Sequence, residues 1–146
     1  MSKEKQRQFN NVLITGGDGF IGSHLAEKFV KEGYHVRVFC KYNSLSSLGW
    51  LDNSPYLKNM EVILGDIEDE FLVKKSLKNI DLVFNLAALI SIPYSYEAFS
   101  SYLKTNVMGT LNLLKAALEC DIKKFIQTST SEVFGSAIYV PIDEKH

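Results

Sequence analysis

A glycine-rich turn between an apolar strand and an amphipathic helix constrains this chain more than any other feature of its sequence. Val12–Ile14 is a short apolar run typical of a buried parallel strand, and Gly16, Gly19 and Gly22 follow it in G-x-x-G-x-x-G spacing. In such turns the glycines allow a tight reversal, a close approach of the backbone to a pyrophosphate, and close helix–strand packing. The helix N-terminus adds free N–H groups and a partial positive charge. The stretch therefore predicts a nucleotide-cofactor site, although a tight strand–helix turn without a ligand needs similar glycines.

Strands and helices alternate along the rest of the chain. The pattern predicts strands at Val12–Ile14, Val36–Cys40, Met60–Leu64, Leu82–Phe84 and around Phe125–Ile126, and helices over residues 19–31, 46–52, 69–78 and 97–119. This alternation predicts an α/β fold, a Rossmann-like doubly wound parallel sheet of at least five strands. Residues 91–95 and 131–146 are expected to be loops. Residues 1–10 are charged and aperiodic, so a flexible tail is expected before one domain over residues 11–146.

Composition limits the partners that the chain is expected to bind. Its formal net charge of −1 argues against nucleic-acid binding, which usually needs a basic excess. Cys40 and Cys120 form no disulfide framework or zinc-binding spacing, and the histidines are scattered, so no metal site is expected. No apolar run approaches the length of a membrane span, and the polar N-terminus lacks the apolar region of a signal peptide. We therefore expect a cytoplasmic protein that does not bind membranes.

Several polar and small residues are predicted to lie at the carboxyl ends of the strands. In doubly wound sheets, ligands bind in the crevice beyond these ends. The residues placed there are Gly16–Gly22, Lys41, Asp66, Ala87–Ala88 and Thr128–Thr130. The sequence therefore predicts that these residues converge on one site.

Five motifs, in order along the chain, support a more specific interpretation. They are TGGDGFIGSHL from Thr15, GDI at 65–67, NLAA at 85–88, TNVMGTLNLL at 105–114 and TSTSEVFG at 128–135. Together they resemble the extended short-chain dehydrogenase/reductases that act on nucleotide sugars. The resemblance implies that residues 11–146 form an NAD(P)-binding Rossmann domain, with Asp66 and Ile67 at the adenine and Asn106 steadying the site. The implied cofactor-binding set is Gly16, Gly19, Phe20, Ile21, Gly22, Lys41, Asn43, Asp66, Ile67, Leu86, Ala87, Ala88, Asn106 and Thr128.

The triplet Thr130-Ser131-Glu132 narrows the implied chemistry. By resemblance, Thr130 would hydrogen-bond the sugar 4-hydroxyl, and Glu132 would take the C5 proton in a 4,6-dehydratase. The triplet resembles GDP-mannose 4,6-dehydratases and UDP-glucuronate decarboxylases, whereas simple epimerases usually lack this acid. Residues 33–44, 49–51 and 90–96 also resemble GDP-N-acetylglucosamine 4,6-dehydratases. As an alternative, Glu132 would only cap the segment that follows it.

The end of the second strand departs from the family pattern. NAD-binding members place an Asp there for the ribose 2′-hydroxyl, but this chain has Cys40 followed by Lys41. A lysine with Asn43 nearby can receive a 2′-phosphate, which a carboxylate would repel. We therefore expect NADP in preference to NAD. The alternative is that Lys41 is only an exposed charge at a strand end and that the cofactor is NAD.

The catalytic Tyr-x-x-x-Lys pair of the family is not found in these 146 residues, since Asp143 stands where Tyr139 would need a lysine. The resemblance therefore implies the cofactor half of a larger enzyme, with a sheet that is incomplete at the C-terminus and no sugar-binding part. The whole enzyme would act on a GDP- or UDP-linked sugar and form a homodimer through the helix at 97–119, while this chain alone would be inactive. The alternative is a non-catalytic dinucleotide-binding module.

Overall fold

The computed structural model describes residues 8–146, and a five-stranded parallel sheet forms its centre. The strands are β1 (Asn11–Thr15), β2 (His35–Lys41), β3 (Met60–Gly65), β4 (Leu82–Asn85) and β5 (Lys124–Gln127). Their order in the sheet is β3-β2-β1-β4-β5, and every pairing is parallel. The predicted Rossmann-like α/β fold is confirmed. Because the chain builds outward from β1 to β3 and then returns to the other side of β1, the carboxyl ends of β1 and β4 form the topological switch point where such sheets bind ligands.

Helices cover both faces of the sheet. They are α1 (Phe20–Lys31), α2 (Glu70–Ser76), α3 (Ile92–Glu97), α4 (Phe99–Tyr102) and α5 (Thr110–Glu119), with a π-helical segment at Leu103–Gly109 and 3₁₀ segments at Gly49–Asn53, Leu57–Asn59 and Ser131–Phe134. Side chains alternate along β1, so Leu13 faces the core beside α2 and α5, whereas Val12 and Ile14 face the core beside α1. Two apolar layers therefore enclose the sheet, as a doubly wound fold requires.

The region between β4 and β5 differs from the sequence-based expectation. Most of the predicted loop at 91–95 belongs to α3, where Pro93 lies in the first turn and its missing N–H breaks no helical bond. The single helix predicted over 97–119 is divided by a break at Ala98 and by the π-helical segment. The predicted helix at 46–52 is a 3₁₀ turn over Gly49–Asn53, and the predicted C-terminal loop contains the 3₁₀ turn Ser131–Phe134.

The start of β1 is held by the half-buried carboxylate of Asp81. Residues 1–7 of the predicted tail lie outside the described residues, but Phe9 packs against the apolar core and differs from that expectation. The Asp81 carboxylate accepts hydrogen bonds from the backbone N–H groups of Asn10 and Asn11 at 2.9 and 3.0 Å, and pairs with Lys123 at 2.7 Å. The hydrogen bond from Lys123, followed by those from the two backbone groups, lowers the pKa of Asp81 to about 2.

We expect Asp81→Asn to lower the free energy of unfolding by about 2 kcal/mol at pH 7. Since the folded-state pKa is depressed, the contribution of Asp81 is present above the ordinary carboxyl pKa and is lost as the pH falls from about 4 to about 2. Urea unfolding at pH 7 and at pH 3 measures the free energy of unfolding of the variant and of wild type. Asp121→Asn, at an exposed position, is the control. A difference between variant and wild type that is equally large at both pH values would contradict the assignment.

Candidate functional site

The glycine turn between β1 and α1 is tightly packed. Gly16 has a φ of +65°, in the left-handed region that favours glycine, and a Cβ there would lie 3.0 Å from the backbone N of Ala87. A Cβ on Gly22 would overlap the carbonyl oxygen of Gly16. The N–H of Gly19 donates to that same oxygen at 3.1 Å. The first turn of α1 and the backbone beyond β4 therefore meet at Gly16, and side chains are excluded between them.

The same turn has the features of a phosphate cradle. Gly19 is the N-cap of α1, and no side chain caps this helix end. Phe20 and Ile21 follow it with side chains that are 58% and 65% exposed. Beyond the Gly16 carbonyl oxygen at 3.3 Å, a Cβ on Gly19 would meet open space. Because the first N–H groups of a helix lack intrahelical acceptors, these residues fit a pyrophosphate held by backbone donors.

A buried polar network joins the ends of β1, β4 and β5. The Thr15 hydroxyl donates to Asn85 Oδ1 at 2.6 Å and accepts the backbone N–H groups of Leu86 and Ala87, both at 3.1 Å. Asn85 Nδ2 donates to Gln127 Oε1 at 2.8 Å. Thr15 and Asn85 are fully buried. Sequence reasoning assigned no role to Thr15 or Asn85, although both lie within recognised motifs, because their pairing depends on the register of the strands.

The segment after β4 is fixed at its other end by Asn106. Its amide oxygen accepts the Leu89 N–H at 2.8 Å, and its amide nitrogen donates to the Leu89 carbonyl at 2.9 Å. Asn106 lies in the π-helical segment, a feature often found at functional sites. Leu86 and Ala87 are half-buried and Ala88 is exposed, so this fixed segment presents backbone and small side chains beside the glycine turn.

The ends of β2 and β3 carry opposite charges that contact each other. Lys41 Nζ donates directly to the Asp66 carboxylate, whose other oxygen accepts the Glu68 N–H at 3.0 Å. Partial burial opposes ionisation of Asp66, but the hydrogen bonds from Lys41 and Glu68 outweigh it and lower the pKa of this carboxyl. The Asn43 side chain bonds within its own loop, donating to the Ser47 carbonyl at 2.8 Å. Lys41 is therefore an exposed cation at the carboxyl end of β2, and it is already paired with Asp66.

Ile67 and Asp66 are the two predicted adenine contacts, and Ile67 is buried whereas Asp66 is half-buried. The Ile67 side chain is buried in the core beside α2 and α5, where it leaves no room for a Cβ on Gly109. Its carbonyl accepts the Asn112 amide at 3.1 Å. The structure thus places Asp66 at the surface of the site and Ile67 in the support beneath it.

The loop after β2 returns to contact the glycine turn, which sequence reasoning did not anticipate. The N–H of Trp50 donates to the Asp18 carbonyl at 3.0 Å, and the Trp50 ring meets Phe20 edge-on with centroids 5.0 Å apart. Gly49 has a φ of +56°, and a Cβ there would overlap the same carbonyl oxygen. This contact supports the turn from outside, and no spacing in the sequence could have indicated it.

The segment after β5 continues from the same edge of the sheet. The N–H of Thr128 donates to the Asn85 carbonyl at 3.1 Å. Thr130 Oγ1 accepts the Glu132 N–H at 3.3 Å and caps the 3₁₀ turn Ser131–Phe134. Thr130, rather than Glu132, is therefore the capping side chain, and both residues are exposed.

Residues 8–146 contain no group of three His, Cys, Asp or Glu side chains that could hold a metal ion. In the same part of the chain, none of the helices combines the length and apolarity needed to cross a membrane.

The sheet topology and the glycine cradle at its switch point define a Rossmann-type dinucleotide-binding domain. A model of the family described as GDP-mannose 4,6 dehydratase matches residues 13–146. The chain belongs to this family, within the NAD-dependent epimerases and dehydratases.

Relatives with several different activities are similar to the chain. The UDP-N-acetyl-alpha-D-glucosaminuronate decarboxylase of Bacillus cytotoxicus is 39% identical over 84% of this chain and 37% of that protein. The dTDP-D-glucose 4,6-dehydratase of Homo sapiens is 35% identical over 91% of this chain and 39% of that protein. The UDP-glucose 4-epimerase of Bifidobacterium longum, solved in complex with NAD+ and UDP, superposes with a TM-score of 0.77 at 29% identity, over 93% of this chain and 42% of that one. The chain thus spans about two fifths of the length of each of these relatives.

Proposed function

We propose that this chain is the NAD(P)-binding part of a nucleotide-sugar 4,6-dehydratase. The observation that carries the proposal is the position of Thr130 and Glu132, whose exposed side chains follow β5 at the edge where the glycine cradle opens. The Thr130 hydroxyl also caps the turn Ser131–Phe134, but a pure cofactor-binding module has no use for the exposed Glu132 carboxylate at that place. The binding of NAD+ and UDP by the similar epimerase supports both a dinucleotide cofactor and a nucleotide-sugar substrate.

The residues of the chain divide the chemistry between binding and proton transfer. When bound, the nicotinamide would accept hydride from C4 of the sugar and later donate it to C6, while the tyrosine of the family's Tyr-x-x-x-Lys pair would take the 4-hydroxyl proton. The Gly16–Gly22 turn holds the pyrophosphate, and Thr130 orients the 4-hydroxyl through a hydrogen bond. Once C4 is a ketone, the C5 proton is acidic, and the Glu132 carboxylate takes it and passes it to the C6 hydroxyl, which leaves as water. A proton delivered to C5 from water would then complete the dehydrated sugar.

A decarboxylase of the same family is the second candidate, because the Bacillus cytotoxicus relative is 39% identical to this chain. Its substrate carries a carboxylate on C5, so loss of carbon dioxide replaces removal of the C5 proton. A C4 epimerase would need neither step. These three reactions differ in the mass of their products.

Mass spectrometry of the reaction products distinguishes these candidates. The protein as its source makes it would be incubated with NAD(P) and with GDP-mannose, GDP-N-acetylglucosamine or UDP-glucuronate. A dehydratase product lacks one water, a decarboxylase product lacks one carbon dioxide, and an epimerase product has an unchanged mass. We expect the loss of water, and no turnover by the 146-residue chain alone. Steady turnover by that chain would contradict the proposal that it is only the cofactor half.

Glu132→Gln should slow formation of the dehydrated sugar by about 100-fold or more, since an amide cannot take the C5 proton. Reduction of the dinucleotide on mixing with the sugar should persist, because hydride leaves C4 before Glu132 acts. Stopped-flow absorbance and product mass spectrometry separate the two steps. The exposed Glu144→Gln is the matched control, and an unchanged dehydration rate in Glu132→Gln would remove Glu132 from the mechanism.

We also propose NADP in preference to NAD. The exposed Lys41 supports this, since its ammonium can pair with a 2′-phosphate. Cys40 places no negative charge at the position where NAD-binding members have an acid, because burial, the main cause, raises the pKa of its thiol to about 12.

A homodimer of the whole protein is proposed through the region 97–119. Large apolar side chains at helical spacing are exposed along it, namely Phe99, Leu103, Val107, Leu111, Leu114 and Leu118. Such a stripe is typical of a protein–protein contact.

A further inference from the structure

We infer that Asp66 sets the choice between NADP and NAD by competing with the ribose 2′-phosphate for Lys41. This inference rests on the proposed dinucleotide-binding function and gives Asp66 a selectivity role beyond its implied contact with the adenine. If Asp66 competes in this way, the protein prefers NADP less strongly than it would with Lys41 alone.

The sheet holds Lys41 and Asp66 in contact. Lys41 and Gly65 are register partners at the carboxyl ends of β2 and β3, and Asp66 follows directly. One Asp66 oxygen accepts the Glu68 N–H at 3.0 Å, and the other receives Lys41. The carboxylate is thus fixed by its own turn, whereas the lysine side chain, which is 61% exposed, can leave it for another anion.

The loop that follows Lys41 supplies no second cation. No Lys or Arg stands between residues 41 and 58, and Asn43 has its side chain engaged within its loop. The turn after β3 is acidic, with Glu68, Asp69 and Glu70 following Asp66. An entering 2′-phosphate therefore has Lys41 as its nearby basic partner and must take it from a carboxylate. A neutral 2′-hydroxyl can bind without displacing Asp66 from Lys41.

The competition between Asp66 and the 2′-phosphate has a modest energy. A partly exposed ion pair contributes about 0–1 kcal/mol, and a change of about 1.4 kcal/mol corresponds to tenfold in affinity. Removing the Asp66 charge should therefore raise the affinity ratio of NADP to NAD by at most about fivefold. Removing the Lys41 charge should lower the same ratio, because the 2′-phosphate then loses its basic partner.

The test is a double-mutant cycle measured by isothermal titration calorimetry. Dissociation constants for NADP and NAD would be measured for wild type, Asp66→Asn, Lys41→Met and the double variant. Asn keeps an oxygen for the Glu68 N–H, so the turn is retained. Because a lost adenine contact affects both dinucleotides equally, the ratio isolates the 2′-phosphate. The expected result is a higher ratio in Asp66→Asn, and no effect of the Asp66 change once Lys41 is Met.

Two outcomes would overturn the inference. An unchanged ratio in Asp66→Asn would show that the acid does not limit NADP binding. If Asp66→Asn raised the ratio as much in the Lys41→Met variant as in wild type, Asp66 would repel the phosphate directly and would not compete with it for Lys41. Glu70→Gln, in the first turn of α2, controls for a general change in charge. If wild type bound neither dinucleotide, the proposed function itself would fail, which differs from both outcomes.

Discussion

Gly22→Ala is expected to weaken dinucleotide binding by about tenfold to a hundredfold. The added Cβ would overlap the Gly16 carbonyl oxygen, so α1 must move away from the turn. Overpacking of this kind costs about 1–3 kcal/mol, and here the displaced atoms include the backbone donors of the phosphate cradle. The loss should therefore appear in affinity as well as in stability.

Calorimetric titration with NADP and NAD measures the affinity of the Gly22→Ala variant, and urea unfolding measures its stability. Gly33→Ala is the matched control, because Gly33 has a φ of +76° at the far end of α1 and its substitution strains the backbone away from the cradle. That variant should lose stability and keep its affinity. Wild-type affinity in Gly22→Ala would show that the turn does not hold the ligand.

Thr15→Val is expected to lower the free energy of unfolding by about 2–3 kcal/mol. Valine keeps the shape of threonine but leaves the N–H groups of Leu86 and Ala87 without their acceptor and Asn85 without its donor. Unsatisfied polar groups in such a place cost about 1–3 kcal/mol each, reduced where water can reach them. Since Ala87 lies against Gly16, dinucleotide affinity should fall as well.

Thr15→Ser provides the matched control, because it keeps the hydroxyl and removes one methyl group, at a cost of about 1 kcal/mol. Urea unfolding of the two variants at neutral pH compares the hydroxyl with the methyl. If the serine variant were as unstable as the valine variant, packing and not the polar network would be the main contribution of Thr15.

The parts of the fold that the sequence predicted are those encoded by local patterns. Each predicted strand falls within an observed strand, since an apolar run bounded by polar residues identifies a buried strand without knowledge of its neighbours. The glycine turn was predictable for the same reason, because its spacing and its position between strand and helix lie within fifteen consecutive residues. The motifs that resemble the family are local in the same sense, and the family membership is confirmed.

The remaining features depend on contacts between distant parts of the chain. The hydrogen bonds of Asn106 with Leu89 join residues 17 positions apart, and the helix predicted across 97–119 is divided around them. The pairing of Lys41 with Asp66 requires the β2–β3 register, which fixes which side chains meet. Apolar residues at helical spacing correctly predicted most of the helical turns in the segment 97–119, but this spacing does not indicate a π-helical insertion.

The contact of Trp50 with the glycine turn gives the protein an intrinsic optical probe. Trp50 is the single tryptophan of the chain, and its backbone N–H is bonded to Asp18 inside the turn. Indole emission responds to the polarity and rigidity of its surroundings, and here the ring lies against Phe20 in the first turn of α1. Movement or occupation of the turn is thus reported by the fluorescence of the unlabelled native chain, without any dye or substitution.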